Sequence, residues 1–352
     1  FALMTSWFWR KWKHDFGKII APPMAWSSTS FLYSLTPIDI IGDQIALMEA
    51  PLLPALVRLS GMAGVSFVIL LMNSLIAHWL VTKRNTPRNA ILILLLLLTF
   101  GTLPRGTWGG SIPLSVALVQ HNFPIASAWR SHHPQEIMET YDHAIRTLGS
   151  THDLILFPQY GLPIDLLRNP ERFERLAADH RTSVLLGTYI PKLPGGNLDE
   201  GERFDTALLF SDRSPVQEYR AITPPPFRQI KQVLGSARSV LRLNGTKIGV
   251  LLCYEDTRAE GARGWVKEGA EILAALSNPG HFVGTPLPRY HLLHDRIRAI
   301  ETHRYVIRVS PNGFSGIIDP DGKVIAQSRL NEKTVLNGIV YPIRKTTVFA
   351  QV

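Results

Sequence analysis

The 352-residue sequence contains only one cysteine, Cys253. One cysteine excludes an internal disulfide and a cysteine-based zinc site. A lone cysteine is often a small buried hydrophobe, but it becomes a nucleophile where its surroundings activate the thiol. The histidines His281, His291 and His294 have no carboxylate at ligand spacing, so we predict no metal site and no other cofactor.

Charged residues are also scarce, at 18% of the chain against 45% hydrophobic residues. The net charge is +9, but the sequence has no compact basic run interleaved with aromatic residues. Nucleic-acid binding usually shows such a clustered basic surface. We therefore expect no nucleic-acid partner.

The segment 59–81 has no charged side chain apart from His78, if that residue is protonated. It is long enough to cross about 30 Å of hydrocarbon as a helix. A second apolar segment covers about 90–108, and Lys83, Arg84 and Arg88 lie between the two. Basic residues in a short loop favour the cytoplasmic side, which places the rest of the chain outside the cytoplasm. The alternative is a buried helical hairpin of a soluble protein.

We divide the chain into a membrane region, 1–108, and a second domain, 109–352. Because the chain begins at Phe1, we expect it to be a fragment or a processed product. In the second domain, apolar runs alternate with helical patterns, which predicts sheets covered by helices. The predicted strands are 115–120, 153–157, 183–189, 205–210, 248–252, 271–276, 305–310 and 313–319, with a turn at 319–324 leading into another. The predicted helices are 134–148, 258–269 and one carrying the stripe Tyr290, Leu293, Ile297 and Ile300.

Cys253 ends the apolar run TKIGVLLCYE, at a predicted strand-to-helix turn. A thiol there lies near helix N–H groups, which lower its pKa. The longer runs GVLLCYED, VKEGAEILAALSNPGHF and RIRAIETHRYVIRVSPNGFSGIIDPDGKV resemble the carbon–nitrogen hydrolase (nitrilase) superfamily. Within it, the chain is most similar to the apolipoprotein N-acyltransferases and to conjugal transfer proteins of the TraB type.

This resemblance implies an α+β four-layer α-β-β-α sandwich preceded by transmembrane helices, with further membrane helices before residue 1 and after residue 352. It also implies a catalytic triad of a glutamate base, a lysine that stabilises the oxyanion and a cysteine nucleophile. Cys253 matches the cysteine. Gln159, in the stretch LILFPQYGLP, occupies the glutamate position, and Ala221 occupies the lysine position.

An amide cannot accept a proton at neutral pH, so the ordinary mechanism should be severely impaired. Arg220, beside the vacant lysine position, is a candidate replacement cation. Glu255, two residues after Cys253, is a candidate base or pocket residue, and we prefer the pocket role. The resemblance also makes Tyr254 and Asn278 candidate substrate-binding residues.

We favour a membrane-anchored TraB-type protein with a degraded triad and weak or no acyl transfer. The alternatives are an active N-acyltransferase or amidase that works through a Cys253 thioester, and a non-catalytic lipid- or partner-binding scaffold. The resemblance implies membrane lipid as the acyl donor and a lipoprotein or the conjugation apparatus as the partner. It also implies the bacterial inner membrane, with the second domain on the periplasmic side.

Overall fold

The structure is a computed structural model of the chain. It describes residues 2–11, 14–34, 53–83, 88–92, 112–123, 133–160, 162, 165–193, 196, 201–224 and 232–352. The chain divides into two compact units, one of residues 1–107 with 347–350 and 352, the other of residues 108–346 with 351. The division of the chain into a membrane region, 1–108, and a second domain, 109–352, stays a prediction.

The first unit is helical where it is described. It contains α1 (Ala2–Lys11), α2 (Asp15–Ser34), α3 (Leu53–Thr82) and a last short helix, Val348–Gln351. Within α3, Leu56–Thr82 is the one helix in the described part of the chain that is long and apolar enough to cross a membrane. The predicted segment 59–81 lies inside it. Of the second predicted span, only residues 90–92 are described.

The first sheet of the second unit contains seven strands. They are β1 (Leu114–Gln120), β2 (Leu154–Leu156), β3 (Ser183–Pro191), β4 (Arg203–Ser211), β5 (Ser214–Arg220), β6 (Gln232–Val233) and β13 (Thr334–Val340). Their order is β13-β1-β2-β3-β4-β5, with β6 beside β4. The β1, β2 and β3 strands are parallel, whereas β4 and β5 continue the sheet antiparallel.

The second sheet contains six strands in the order β12-β11-β10-β9-β8-β7. They are β7 (Leu241–Leu243), β8 (Thr246–Leu252), β9 (Ile272–Leu276), β10 (Val306–Val309), β11 (Gly316–Ile318) and β12 (Val324–Gln327). Its three central strands β8, β9 and β10 are parallel. Their residues are mostly apolar, as in parallel strands that are covered on both faces, and Arg308 of β10 is a buried exception.

Helices cover both sheets. One buried core joins the facing sides of the two sheets and includes Leu185 of β3 and Val250 of β8. A second core joins the other side of the first sheet to α4 (Pro134–Leu148) and α5 (Glu171–His180). On the second sheet lie α6 (Ala259–Lys267) and α7 (Leu287–Thr302). The nitrilase-like α/β fold with mixed sheets is therefore confirmed, while a membrane-spanning region ahead of it stays a prediction.

Candidate active site

Cys253 lies at the carboxyl end of β8, where the strand gives way to a 3-10 turn, Cys253–Thr257, ahead of α6. Its φ of 47° is in the left-handed region, which is uncommon for a residue other than glycine. Such strain persists where surrounding structure holds it, often at functional sites. The thiol is thereby placed at the strand end rather than within the sheet.

The surroundings of the Cys253 thiol raise its pKa to about 12. Loss of hydration around the sulfur is the main cause, although Cys253 as a residue is only partly buried, and the carboxylates of Asp256 and Asp205 add to it. The backbone N–H of Asn278, after β9, and the charge of Arg308 act in the opposite direction on this pKa. The thiol therefore needs a base to ionise at neutral pH.

Gln159 lies just beyond β2 and is fully buried. The chain on either side is fixed to β3, since Phe157 N–H donates to Leu185 at 2.9 Å and Tyr160 N–H donates to Gly187 at 3.0 Å. The Nε2 of Gln159 donates a short hydrogen bond to Oδ2 of Asp205. An amide at this strand end can donate to a carboxylate, whereas a glutamate in the same place would repel it.

Gly187 allows Gln159 to lie close against β3. A Cβ on residue 187 would come within 2.7 Å of the Gln159 Cα, and backbone atoms cannot move aside as a flexible side chain can. We expect Gly187→Ala to lower the free energy of unfolding by about 1–3 kcal/mol. Thermal unfolding measures it. Gly284→Ala is the control, because among the described residues, its two chain neighbours aside, no heavy atom lies within 4 Å of its added Cβ. Equal melting temperatures for the two variants would contradict this packing argument.

Asp205 of β4 is a site residue that the sequence analysis did not identify. Its Oδ2 accepts hydrogen bonds from Gln159 and from the Tyr160 hydroxyl, the latter at 2.9 Å. Burial raises the pKa of Asp205 to about 7 and outweighs the hydrogen bond from Tyr160, while the charge of Glu255 raises it further. A signal was present in the sequence, since alternation along the strand places residue 205 on the same face as Ala207 and Leu209.

Ala221 follows β5 and is buried beside Asp205. Its backbone N–H donates to the Asp205 carbonyl oxygen at 2.8 Å. The position expected for the lysine therefore does lie at the site, but an alanine side chain carries no charge there.

Glu255 joins the ends of β8 and β5. Both of its carboxylate oxygens accept a hydrogen bond from the Tyr219 hydroxyl, at 2.8 and 3.0 Å. One also accepts from the backbone N–H groups of Ile222 and Thr223, and the other from that of Leu252. A carboxylate with this many donors holds backbone in place, so the pocket role stays our preferred assignment for Glu255.

Arg220 does not point into the site, which corrects the proposal that it replaces the lysine. Successive side chains of a strand point to opposite faces, and Tyr219 and Ala221 face the core between the sheets. Arg220 therefore faces away, where its guanidinium pairs with Glu218 at 3.0 Å and lies 4.2 Å from the centre of the Phe204 ring.

The two predicted substrate-binding residues flank Cys253. Tyr254 is buried, and its carbonyl oxygen accepts a hydrogen bond from the Thr257 hydroxyl at 2.8 Å. Asn278 is partly buried, with its side chain turned toward the Gly280 N–H at 3.4 Å. Of the two, Asn278 contacts the thiol directly, through its backbone N–H.

A buried ionic network lies behind the turn that carries Cys253. Arg308 of β10 donates to Asp256 at 2.8 Å and to Asp295 of α7 at 2.6 Å. His291 also contacts Asp256, at 2.8 Å. Despite burial, the charges of His291 and Arg308 lower the pKa of Asp256. The network anchors the turn to β10 and α7.

The comparisons with known proteins agree with this geometry. The family model for carbon-nitrogen hydrolases matches residues 115–340, which is more than half of the chain. The chain belongs to the carbon-nitrogen hydrolase family. The matched region contains Gln159, Asp205 and Cys253.

Two similar curated proteins are apolipoprotein N-acyltransferases. The one from Nitrosomonas europaea is 28% identical over 293 residues, which cover 76% of this chain and 57% of the relative. The one from Methylococcus capsulatus is 26% identical over 317 residues, which cover 82% of this chain and 61% of the relative. The chain thus spans less than two thirds of the length of these relatives.

Two solved structures show the same fold. A carbon-nitrogen hydrolase from Helicobacter pylori G27 superposes with a TM-score of 0.54 at 14% identity, covering 65% of this chain and 89% of that one. A glutamate-to-glutamine mutant of an amidase from Nesterenkonia sp. AN1 superposes with a TM-score of 0.52 at 19% identity, covering 68% and 95%. The latter structure shows acrylamide added to the active-site cysteine by Michael addition.

Proposed function

We propose that this protein transfers acyl groups through a thioester on Cys253, and that it does so slowly. The observation that carries the proposal is the placement of the thiol. It lies at a strained strand end, receives the Asn278 N–H and lies near the buried Gln159–Asp205 pair. A nucleophile with an adjacent proton acceptor is the arrangement that covalent acyl transfer requires.

The reaction has two steps. The thiolate attacks the acyl carbonyl of a donor, forming a C–S bond and releasing the donor's alcohol with a proton. An amine then attacks the thioester and releases the thiol. Ala221 leaves the developing oxyanion without the lysine that the family resemblance implies, and one missing oxyanion donor typically costs about 10²–10³ in rate. Slow turnover follows from this substitution.

The donor in this proposal is a membrane phospholipid and the acceptor is the amino group of a lipoprotein, by analogy with the apolipoprotein N-acyltransferases. The apolar helix Leu56–Thr82 supports a membrane location, since its length suffices to span a bilayer. Lys83 and Arg84 follow it, and basic residues favour the cytoplasmic side. The proposed location is the bacterial inner membrane, with the carbon-nitrogen hydrolase domain on the periplasmic side.

The test is acyl transfer by the purified chain in detergent. The reaction contains phospholipid with an isotope-labelled acyl chain and a diacylated lipopeptide with a free α-amino group, and N-acylated lipopeptide is measured by mass spectrometry. We expect slow, phospholipid-dependent product with the native protein and none with Cys253→Ala. Equal product from both proteins would contradict the proposal.

A second candidate is a TraB-type conjugation protein that uses this fold only to bind a lipid or a partner. Two observations favour it, namely the missing lysine at Ala221 and the raised pKa of the Cys253 thiol. In that case phospholipid binds without turnover, and Cys253→Ala leaves binding and conjugal transfer intact.

A further inference from the structure

Asp205 lies between Gln159 and Ala221. These are the two positions at which the expected glutamate and lysine of the triad are replaced. Across the first sheet, its register partner on β3 is Tyr189, and on the other side Ala221 is bonded to its backbone. Gln159 reaches it from the end of β2. The face of β4 that carries Asp205 is directed toward the second sheet, where Cys253 ends β8.

Two buried acceptor atoms at this place have no hydrogen-bond donor among the residues that the structure describes. They are Oδ1 of Asp205 and Oε1 of Gln159. An unpartnered buried acceptor is costly, so native proteins rarely keep one without a use. Asp205 is only 3% exposed, and its second oxygen is already held by Gln159 and Tyr160. Its other oxygen, Oδ1, is thus held in a fixed position on the face of β4 that is directed toward the second sheet, and the charge of Asp205 acts on the Cys253 thiol.

We propose that Asp205 is the general base for Cys253, taking the role that Gln159 cannot perform. This inference rests on the proposed thioester chemistry and adds a catalytic residue to it. Gln159 then has a positioning role, because its Nε2 fixes one carboxylate oxygen of Asp205 and leaves the other free.

The proton balance of the step is simple. The Cys253 Sγ–H bond breaks and its proton moves to Oδ1 of Asp205, while the electron pair on sulfur forms the C–S bond to the acyl carbon. When the tetrahedral intermediate collapses, the C–O bond of the donor breaks and the leaving alkoxide takes the proton back from Asp205. Asp205 ends as the carboxylate, ready for the second step.

A base works only when it is deprotonated, so the reactivity of Cys253 should rise with pH as Asp205 loses its proton, near pH 7. The titratable and charged groups around Asp205 come from four parts of the chain. They are Tyr160 after β2, Tyr189 on β3, Arg203 on β4 itself, and Cys253 and Glu255 after β8. Arg203 acts against the rise in the Asp205 pKa, and the charge of Glu255 adds to it.

The experiment measures alkylation of Cys253 by acrylamide between pH 5 and pH 9, using the intact mass of the full chain. The single cysteine makes every adduct report on this thiol. We expect the native rate to rise up to about pH 7 and to level off above it, as the base becomes fully deprotonated. In Asp205→Asn, we expect the rate at pH 8 to fall about 10²-fold and the rise near pH 7 to disappear. Asp212→Asn, next to the other end of the same strand, is the control and should keep the native profile.

The exchange variant Gln159→Glu/Asp205→Asn separates catalysis from structure. It keeps one carboxylate and one amide in the pair. We expect its alkylation rate to be at least tenfold higher than that of Asp205→Asn. A native rate that keeps climbing from pH 5 to pH 9 without levelling off above pH 7, as a thiol that ionises unaided would give, would overturn the proposal. So would a rate for Asp205→Asn within threefold of the native rate.

The alkylation assay needs no natural substrate, so it separates this inference from the proposed function. An Asp205-dependent profile without acyl transfer from phospholipid would contradict the proposed function and leave the assignment of the base standing. Acyl transfer at an unchanged rate in Asp205→Asn would contradict the assignment of the base and leave the proposed function standing.

Discussion

Replacing Arg308 by methionine should lower the free energy of unfolding by about 3–5 kcal/mol, the largest stability effect we expect in this protein. Arg308 is fully buried and donates to Asp256 and Asp295, so its removal takes the shared guanidinium from both buried carboxylates, while His291 still contacts Asp256. Tryptophan fluorescence during chemical denaturation in detergent measures this loss. The turn that carries Cys253 should loosen as well, because Asp256 belongs to it.

Arg220→Met is the matched control for this experiment. Arg220 also pairs with a carboxylate, that of Glu218, but its side chain is 35% exposed. Exposed pairs contribute about 0–1 kcal/mol, so this variant should unfold close to the native protein. If Arg308→Met and Arg220→Met unfold at the same denaturant concentration, the buried network does not hold the site together.

Placing a lysine at residue 221 should raise the rate of Cys253 acylation by about 10²-fold, the largest gain we expect. Ala221 follows β5 and lies on the face that is directed toward the second sheet. Its backbone N–H donates a hydrogen bond to the carbonyl oxygen of Asp205. A lysine there supplies the cation that the family resemblance implies for the oxyanion. Single-turnover labelling from phospholipid, compared with the native chain, gives the rate.

Ala221→Met controls for the added bulk at this buried position. It lengthens the side chain without adding charge, so any cost of crowding appears in both variants. A lysine variant no faster than the methionine variant would show that charge at residue 221 does not limit the reaction.

The spacing of apolar residues was sufficient to predict the helices and strands in which buried residues recur at regular intervals. The helix 134–148 matches α4 because Ile137, Tyr141 and Ile145 recur on one buried face. The strand ending at Cys253 is β8, since a short apolar run before a polar turn admits few other structures. In contrast, β5 and β13 are half-polar strands that depend on distant partners, and the sequence analysis assigned neither.

A motif marked some of the candidate site residues, whereas Asp205 was marked only by the strand alternation that buries it. The sequence runs around Cys253 and Gln159 marked those two residues, and in the structure Gln159 donates a hydrogen bond to the buried carboxylate of Asp205. Asp205 has no motif, because its importance comes from the partners that β2 and β5 supply across the sheet. Arg220 was misplaced because adjacency in sequence was weighed above alternation along β5, which sends neighbouring side chains to opposite faces.

The most direct measurement of the central claim is the mass of the Cys253 peptide after incubation of the full chain with phospholipid in detergent. The account predicts a slowly formed acyl adduct that hydroxylamine removes and that Cys253→Ala lacks. If the native protein stays unmodified while Ala221→Lys and Gln159→Glu/Ala221→Lys also stay unmodified, Cys253 is not an acyl nucleophile and the account is wrong.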